Sequence, residues 1–207
     1  MKKRSTIIAA LALAGGAFYA YRAYAAMDAE GGDRNPWLPP PAPGSITGAD
    51  LMASTENATS DQRLAAGLAL IRKFESGGRY DVLYGGGTFD SFDDHPNVRV
   101  PFVNPATGKD DYSTAAGAYQ INHPTWTGEI QPALSLPDFS PTSQDAAAVQ
   151  LLKNIGAYDA VLKGDIDTAL RRASKKWASL PYSTARQNPK TLQAALDSFT
   201  DYLSTIA

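Results

Sequence analysis

Glu75 is a carboxylate in an unexpected place. The apolar residues Leu64, Leu68 and Ile71 follow one another at spacings of four and three, which traces one face of an α-helix, and Glu75 is the next residue on that face. Ser76-Gly77-Gly78 comes immediately after, and glycine just past a last turn is the usual helix stop. Glu75 would then sit at the negative end of the helix dipole, where dipole and apolar surroundings both disfavour ionisation. A carboxylic acid held protonated in this way can pass its proton to a leaving oxygen as a general acid. The alternative is an exposed glutamate on a frayed last turn, and spacing alone does not separate the two. Asp81, Asp90, Asp93 and Asp94 lie in the next stretch. Each is either a second acid–base carboxylate or, as is common for Asp in turns, a side chain bonding nearby backbone amides.

Other chemistries are closed off by composition. With 0 Cys, thiol catalysis, disulfides and cysteine-ligated zinc are excluded. The 2 His, His95 and His123, lie outside any H-E-x-x-H pattern and more than a helical turn apart, so no metal and no cofactor is expected. A formal net charge of −2 provides no general attraction for nucleic acid.

The elements that must position Glu75 can be read outward from it. Thr59-Ser60-Asp61-Gln62 has the capping-box pattern, with Asp61 near the positive end of the dipole, so a helix is expected to open here. From Val82 to Val103 short apolar pieces are broken by Gly85-Gly86-Gly87 and Pro96, which predicts a small antiparallel sheet. Ser140 before Pro141 is a good N-cap for a helix whose stripe is Ala146, Val149, Leu152 and Ile155. Trp177 and Leu180 are expected to close a following helix, and Asn188-Pro189 to cap a last one with the stripe Leu192, Leu196, Phe199 and Leu203. That stripe reads as a face packed on the domain rather than one docking a partner.

The N-terminal third differs in kind. Lys2, Lys3 and Arg4 precede an apolar run from Ile7 to Ala20, a pattern shared by secretory signal peptides and weak membrane helices. Ala23-Tyr24-Ala25 fits a cleavage site, while Tyr19, Tyr21, Arg22 and Tyr24 fit the interfacial belt of an uncleaved anchor, and both readings stand. By the positive-inside rule, the chain beyond this run lies outside the cytoplasm. Residues 27–58, with Gly31-Gly32, Asn35-Pro36, Pro39-Pro40-Pro41 and Pro43-Gly44, favour extended geometry and read as a tether. The organisation is therefore a signal-anchor or signal peptide over 1–26, a linker over 27–58 and one α+β, mainly helical domain over 59–207.

Several blocks carry a family resemblance. Phe74-Glu75-Ser76-Gly77 is succeeded by Tyr80-Asp81-Val82, Gly85-Gly86, Phe89 and Asp94-His95-Pro96, then by Ser113-Thr114-Ala115-Ala116-Gly117-Ala118-Tyr119-Gln120. The strongest blocks lie further on: Asp138 to Ala146, Gly164-Asp165-Ile166 and Trp177-Ala178-Ser179-Leu180-Pro181. In this order and spacing they resemble the lambda-phage endolysin family of lytic transglycosylases. The turn between Glu75 and Tyr80, and the segment after Pro181, depart from the family pattern. The resemblance implies a lysozyme-like fold whose sheet forms one wall of a cleft, with peptidoglycan glycan strands as substrate. It makes Glu75 the catalytic acid and then base, and Tyr119 and Gln120 residues lining the sugar-binding cleft; Ser113 is a further candidate for substrate binding, and His95 is either structural or sugar-contacting. The family breaks the bond between N-acetylmuramic acid and N-acetylglucosamine without water, because the primary hydroxyl of the muramic acid attacks its own anomeric carbon. One carboxyl group suffices for that, unlike the two of most glycosidases. Tyr84, Phe89, Tyr112, Tyr119 and Trp126 are candidates for stacking on sugar rings, or for filling the core. Further partners implied are the membrane, through the N-terminal helix, and phage virion proteins. Host lysis, wall penetration by a phage particle and bacterial wall remodelling are all compatible with these features, in the periplasm or on the outer face of the cytoplasmic membrane.

Overall fold

The computed structural model describes residues 54–104, 107–185 and 189–206. The signal or anchor segment, and most of the tether, lie outside the described residues. Among the described residues no helix is long and apolar enough to cross a membrane. The tether's expected end at 58 is too late: residues 54–57 are already helical. Thr55 is buried there, and its carbonyl accepts from Arg63 Nε and Nη2 at 2.9 and 2.6 Å.

Helix α1 (Ser60–Ser76) opens on the expected capping box. Thr59 Oγ1 accepts from the Gln62 amide at 3.2 Å and Gln62 Oε1 from the Thr59 amide at 2.7 Å. It stops at Gly77, whose left-handed φ of 66° turns its N–H back onto the Arg72 carbonyl. Ala66, Ala69, Leu70 and Ile71 are its buried residues, while Leu64 and Leu68 are partly buried against the core.

The expected small antiparallel sheet is present, but it lies further along the chain, with only its first strand inside the Val82–Val103 segment. Strands β1 (Val100–Val103) and β2 (Asp110–Ser113) pair antiparallel, with Val100 opposite Ser113 and Phe102 opposite Asp111. The preceding segment forms a 3-10 turn at Tyr84–Gly86 and isolated bridges, Val82 to Thr88 and Leu83 to Ala116, instead of a strand. Gly85 and Gly86 have φ of 80° and 93°, which coils the chain where a strand needs it extended.

The rest is helical. Helix α2 (His123–Thr125) runs through a π-helical turn at Trp126–Ile130 into α3 (Gln131–Leu134), and α4 (Pro141–Asn154) starts on Ser140, whose Oγ accepts from the Ser143 amide. Of the stripe expected on α4, Leu152 is buried and Ala146, Val149 and Ile155 are only half-buried. The buried face is Ser143, Gln144, Ala147, Ala148, Leu151 and Leu152. It is rotated by the polar Gln144, which is fully buried because its amide is satisfied by Ala118 N–H, Tyr80 C=O and Phe139 C=O. Helices α5 (Tyr158–Lys163) and α6 (Ile166–Ala173) come next. Trp177 and Leu180, expected to close a helix, lie beyond α6 in turns and are buried.

Helix α7 (Leu192–Ile206) carries its stripe as expected: Leu196, Phe199 and Leu203 are buried, Leu192 is partly so, and the helix packs on α1. Its proposed cap at Asn188 falls outside the described residues. At the centre, Phe139 meets His95, Trp126 and Phe89 at ring-centroid distances of 4.7, 4.8 and 6.0 Å. Burial of each large apolar side chain is worth about 1.5–3 kcal/mol, so Phe89, Trp126 and Phe139 contribute substantially to the core shared with α1 and α4.

Candidate active site

The end of α1 opens into a groove of about 640 Å³. It is lined by residues of that helix end, of the Val82–Gly86 segment, of the β-hairpin and of the Lys176–Ser179 turn. Glu75 is half-buried at the groove, so the frayed, solvent-directed alternative does not hold. Ser179 fixes it from 104 residues away: its hydroxyl donates to Glu75 Oε1 at 2.5 Å and its amide to the same oxygen at 3.3 Å. Both Ser179 bonds go to Oε1, and among the described residues none bonds Oε2. Burial pushes the Glu75 carboxyl above the usual carboxylate range, and the two Ser179 bonds, which favour the ionised form, offset only part of that rise. Among the described residues that line the groove, Glu75 is the one carboxylate.

The four aspartates are elsewhere. Arg79 and Asp81 pair on the surface at 2.7 Å, and Asp94 Oδ1 accepts from the His95 amide and from Trp126 Nε1. Asp90 and Asp93 are exposed and line no part of the groove. Asp94 shows the turn pattern of a side chain bonding the next backbone amide, and none of the four lines the groove.

The expected sugar-contacting residues divide. Gln120 and Ser113 line the groove. Gln120 is held at φ 46° by its own amide side chain, which donates to the Val82 and Gly117 carbonyls at 3.1 Å. Tyr119 does not line it, contrary to expectation. It is 1% exposed, and its hydroxyl donates to Asp145 Oδ1 at 2.5 Å within a cluster that also holds Tyr80 and Arg72. Burial and the Asp145 charge push the Tyr119 phenol far up. His95 is also interior, its Nε2 against the Ile121 carbonyl at 2.8 Å and its ring 5.3 Å from that of His123. Desolvation pushes His95 down, toward the neutral ring that its hydrogen bonds require. Of the aromatic candidates, Tyr84 and Tyr112 line the groove, whereas Phe89 and Trp126 are core.

The chain is similar to known proteins in sequence and in fold. The profile of the family described as Endolysin matches residues 63–206. The chain belongs to the endolysin family. It is 44% identical over 102 residues to the endolysin of Escherichia phage lambda, an alignment covering 49% of this chain and 61% of that protein, so the match spans less than two thirds of that relative. It is 35% identical over 119 residues to the endolysin of Escherichia phage P2, covering 55% of this chain and 72% of that one. In three dimensions it is similar to bacteriophage lambda lysozyme complexed with a chitohexasaccharide, at TM-score 0.61 and 35% identity, over 68% of this chain and 94% of that one. A second lambda lysozyme structure matches at TM-score 0.56 and 33% identity, over 70% and 93% of the two chains. The fold is therefore lysozyme-like, mostly helical with a two-stranded antiparallel sheet.

The part of the candidate site that comes from the turn after α6 was not legible in the sequence. Ser179 was visible only inside a longer block, and nothing local marks a serine as the partner of a carboxylate 104 residues earlier. Phe102, Asn122 and Lys176 were missed for the same reason, since they meet at the groove only through the fold.

Proposed function

We propose that this chain cleaves peptidoglycan glycan strands as a lytic transglycosylase, with Glu75 as acid and then base. One observation carries the reading: a single half-buried carboxylate, its proton favoured by burial and one of its oxygens tied back by Ser179, lines a groove with no second carboxylate among its described residues. A two-carboxylate hydrolysis needs a partner for Glu75 as nucleophile or water activator. Transglycosylation needs none. Protonated Oε2 gives its proton to the oxygen between muramic acid and glucosamine, and the C1–O bond breaks. The muramic acid C6 hydroxyl forms the new bond to C1, and its proton passes to the Glu75 carboxylate, which restores the acid and leaves a 1,6-anhydro end. The similarity to a lysozyme complexed with a chitohexasaccharide supports a glycan in the groove, with Gln120 and Ser113 beside it. The similarity to phage endolysins supports a phage origin and host lysis. Residues 1–26 are proposed to hold or export the domain across the cytoplasmic membrane, with the segment up to residue 53 as its tether.

Mass spectrometry of the glycan products tests the reaction. Transglycosylation gives muropeptides one water lighter than hydrolysis does. Products with full reducing ends would replace this mechanism with hydrolysis, and no release of fragments by well-folded protein would leave a wall-binding protein. N-terminal sequencing and fractionation of the expressed full chain test the placement.

A further inference from the structure

The described residues lining the groove include one cation, Lys176, and its charge is not spent inside the protein. No acidic side chain lies within salt-bridge distance of it among the described residues, and its ammonium donates to Thr125 Oγ1 on α2 at 3.3 Å. The residue is exposed, but its backbone is fixed. The Lys176 amide bonds the Ala173 carbonyl at 2.9 Å, and the next residue, Trp177, is buried with Nε1 on the Tyr119 carbonyl at 2.9 Å. Lys176 does not set the state of Glu75 either, since burial and Ser179 account for that carboxyl. Balancing the dipole at the end of α6 does not require it, because Arg171, Arg172 and Lys175 are already there. What remains is an ammonium presented to the groove three residues before Ser179.

A peptidoglycan strand has anions to meet it. Both sugars are neutral, but each muramic acid bears a lactyl arm whose carboxyl is either free or joined to a stem peptide with carboxylates of its own. We infer that Lys176 forms a carboxylate-binding subsite for the lactyl arm of the muramic acid or the peptide it carries, so that the groove prefers anionic muramoyl strands to neutral glycan. This deepens the peptidoglycan reading and rests on it. An exposed pair of this kind is weak and salt-screened, so it changes affinity by about two- to fivefold and leaves the bond-breaking step alone.

The test uses the full chain and the variants Lys176→Met, Lys176→Arg and, as a neighbour that does not line the groove, Lys175→Met. Each is assayed on stem-bearing glycan strands, on the same strands with carboxyls converted to methylamides, and on strands stripped of stem peptide. K176M raises KM about two- to fivefold on stem-bearing strands at unchanged kcat, K176R and K175M stay near wild type, and on amidated strands the K176M difference vanishes. Persistence on stripped strands assigns the ligand to the lactyl carboxylate, and disappearance there assigns it to the peptide. The inference is overturned if K176M matches wild type on stem-bearing strands, if it loses as much on amidated ones, or if K175M loses equally. Should the wild type cleave none of the strands, the catalytic reading has failed, and calorimetric Kd values for the same proteins and strands decide the Lys176 subsite with the same two- to fivefold criterion.

Discussion

Gly117→Ala is expected to be far more destabilising than its size suggests, and Gly77→Ala provides the control. Both glycines have left-handed backbones, with φ of 77° and 66°. An alanine there costs about 1–2 kcal/mol from the clash of Cβ with its own carbonyl. At Gly77 nothing lies within 4 Å of the new methyl, so the cost ends there. At Gly117 the methyl would sit 2.2 Å from Gln144 Oε1, 2.7 Å from its Cδ and 3.0 Å from Phe139 Cε1. Gln144 is fully buried and cannot swing aside without releasing Ala118 N–H, Tyr80 C=O or Phe139 C=O. Overpacking adds about 1–3 kcal/mol, and a buried group left unpaired adds about 1–3 kcal/mol. The total for G117A is about 3–8 kcal/mol, against about 1–2 kcal/mol for G77A. Urea unfolding of the two variants at fixed pH, with unchanged m-value, reads the difference directly. Equal losses would refute the packing around Gln144, and with it the account of why α4 turns that face inward. Because the Gly117 carbonyl also holds Gln120, surviving G117A protein should bind glycan more weakly.

Three further outcomes rest on contacts of the same kind. Ser179→Ala removes a hydrogen bond to the ionised form of Glu75, so the falling limb of the pH–rate profile should move to higher pH; a move to lower pH contradicts the assignment. Asp145→Ala strips the acceptor from the buried Tyr119 hydroxyl and from Tyr80, costing about 1–3 kcal/mol in urea unfolding. No loss there would mean that the cluster is idle. Tyr182, whose hydroxyl donates to Asp167, is pushed from 10.0 up to about 12, which favours the neutral phenol in the fold. Its contribution is whole below pH 10 and erodes as pH rises toward 12, so wild-type stability should fall more steeply over that window than that of Tyr182→Phe.

Local chemistry was legible in the sequence where the relevant partners are neighbours. Thr59 and Gln62 announce the start of α1, and Gly77 its end, because cap and capped group lie within a turn of each other. The same holds for Ser140 and Pro141 at α4 and for the Leu196–Phe199–Leu203 stripe of α7. Glu75 was legible because an apolar stripe predicts where its next residue points. What failed depended on long-range pairing. The rotation of α4 hinges on Gln144 being satisfied by residues 118, 80 and 139, and the burial of Tyr119 on Asp145. His95 goes inside because the Ile121 carbonyl and the Phe139 ring receive it. A polar residue reads as surface until its partner is known. The second strand was missed because Asp110 to Ser113 is polar and mostly exposed and carries no apolar alternation.

In the proposed mechanism Glu75 moves the proton. Glu75→Gln keeps the size and the Ser179 contact while removing the ionisable group, and the decisive measurement is its kcat on purified glycan strands beside its Kd for the same strands. A fall in kcat of about 10²–10⁴-fold is expected, with Kd and unfolding free energy near wild type. Turnover at the wild-type rate would contradict it.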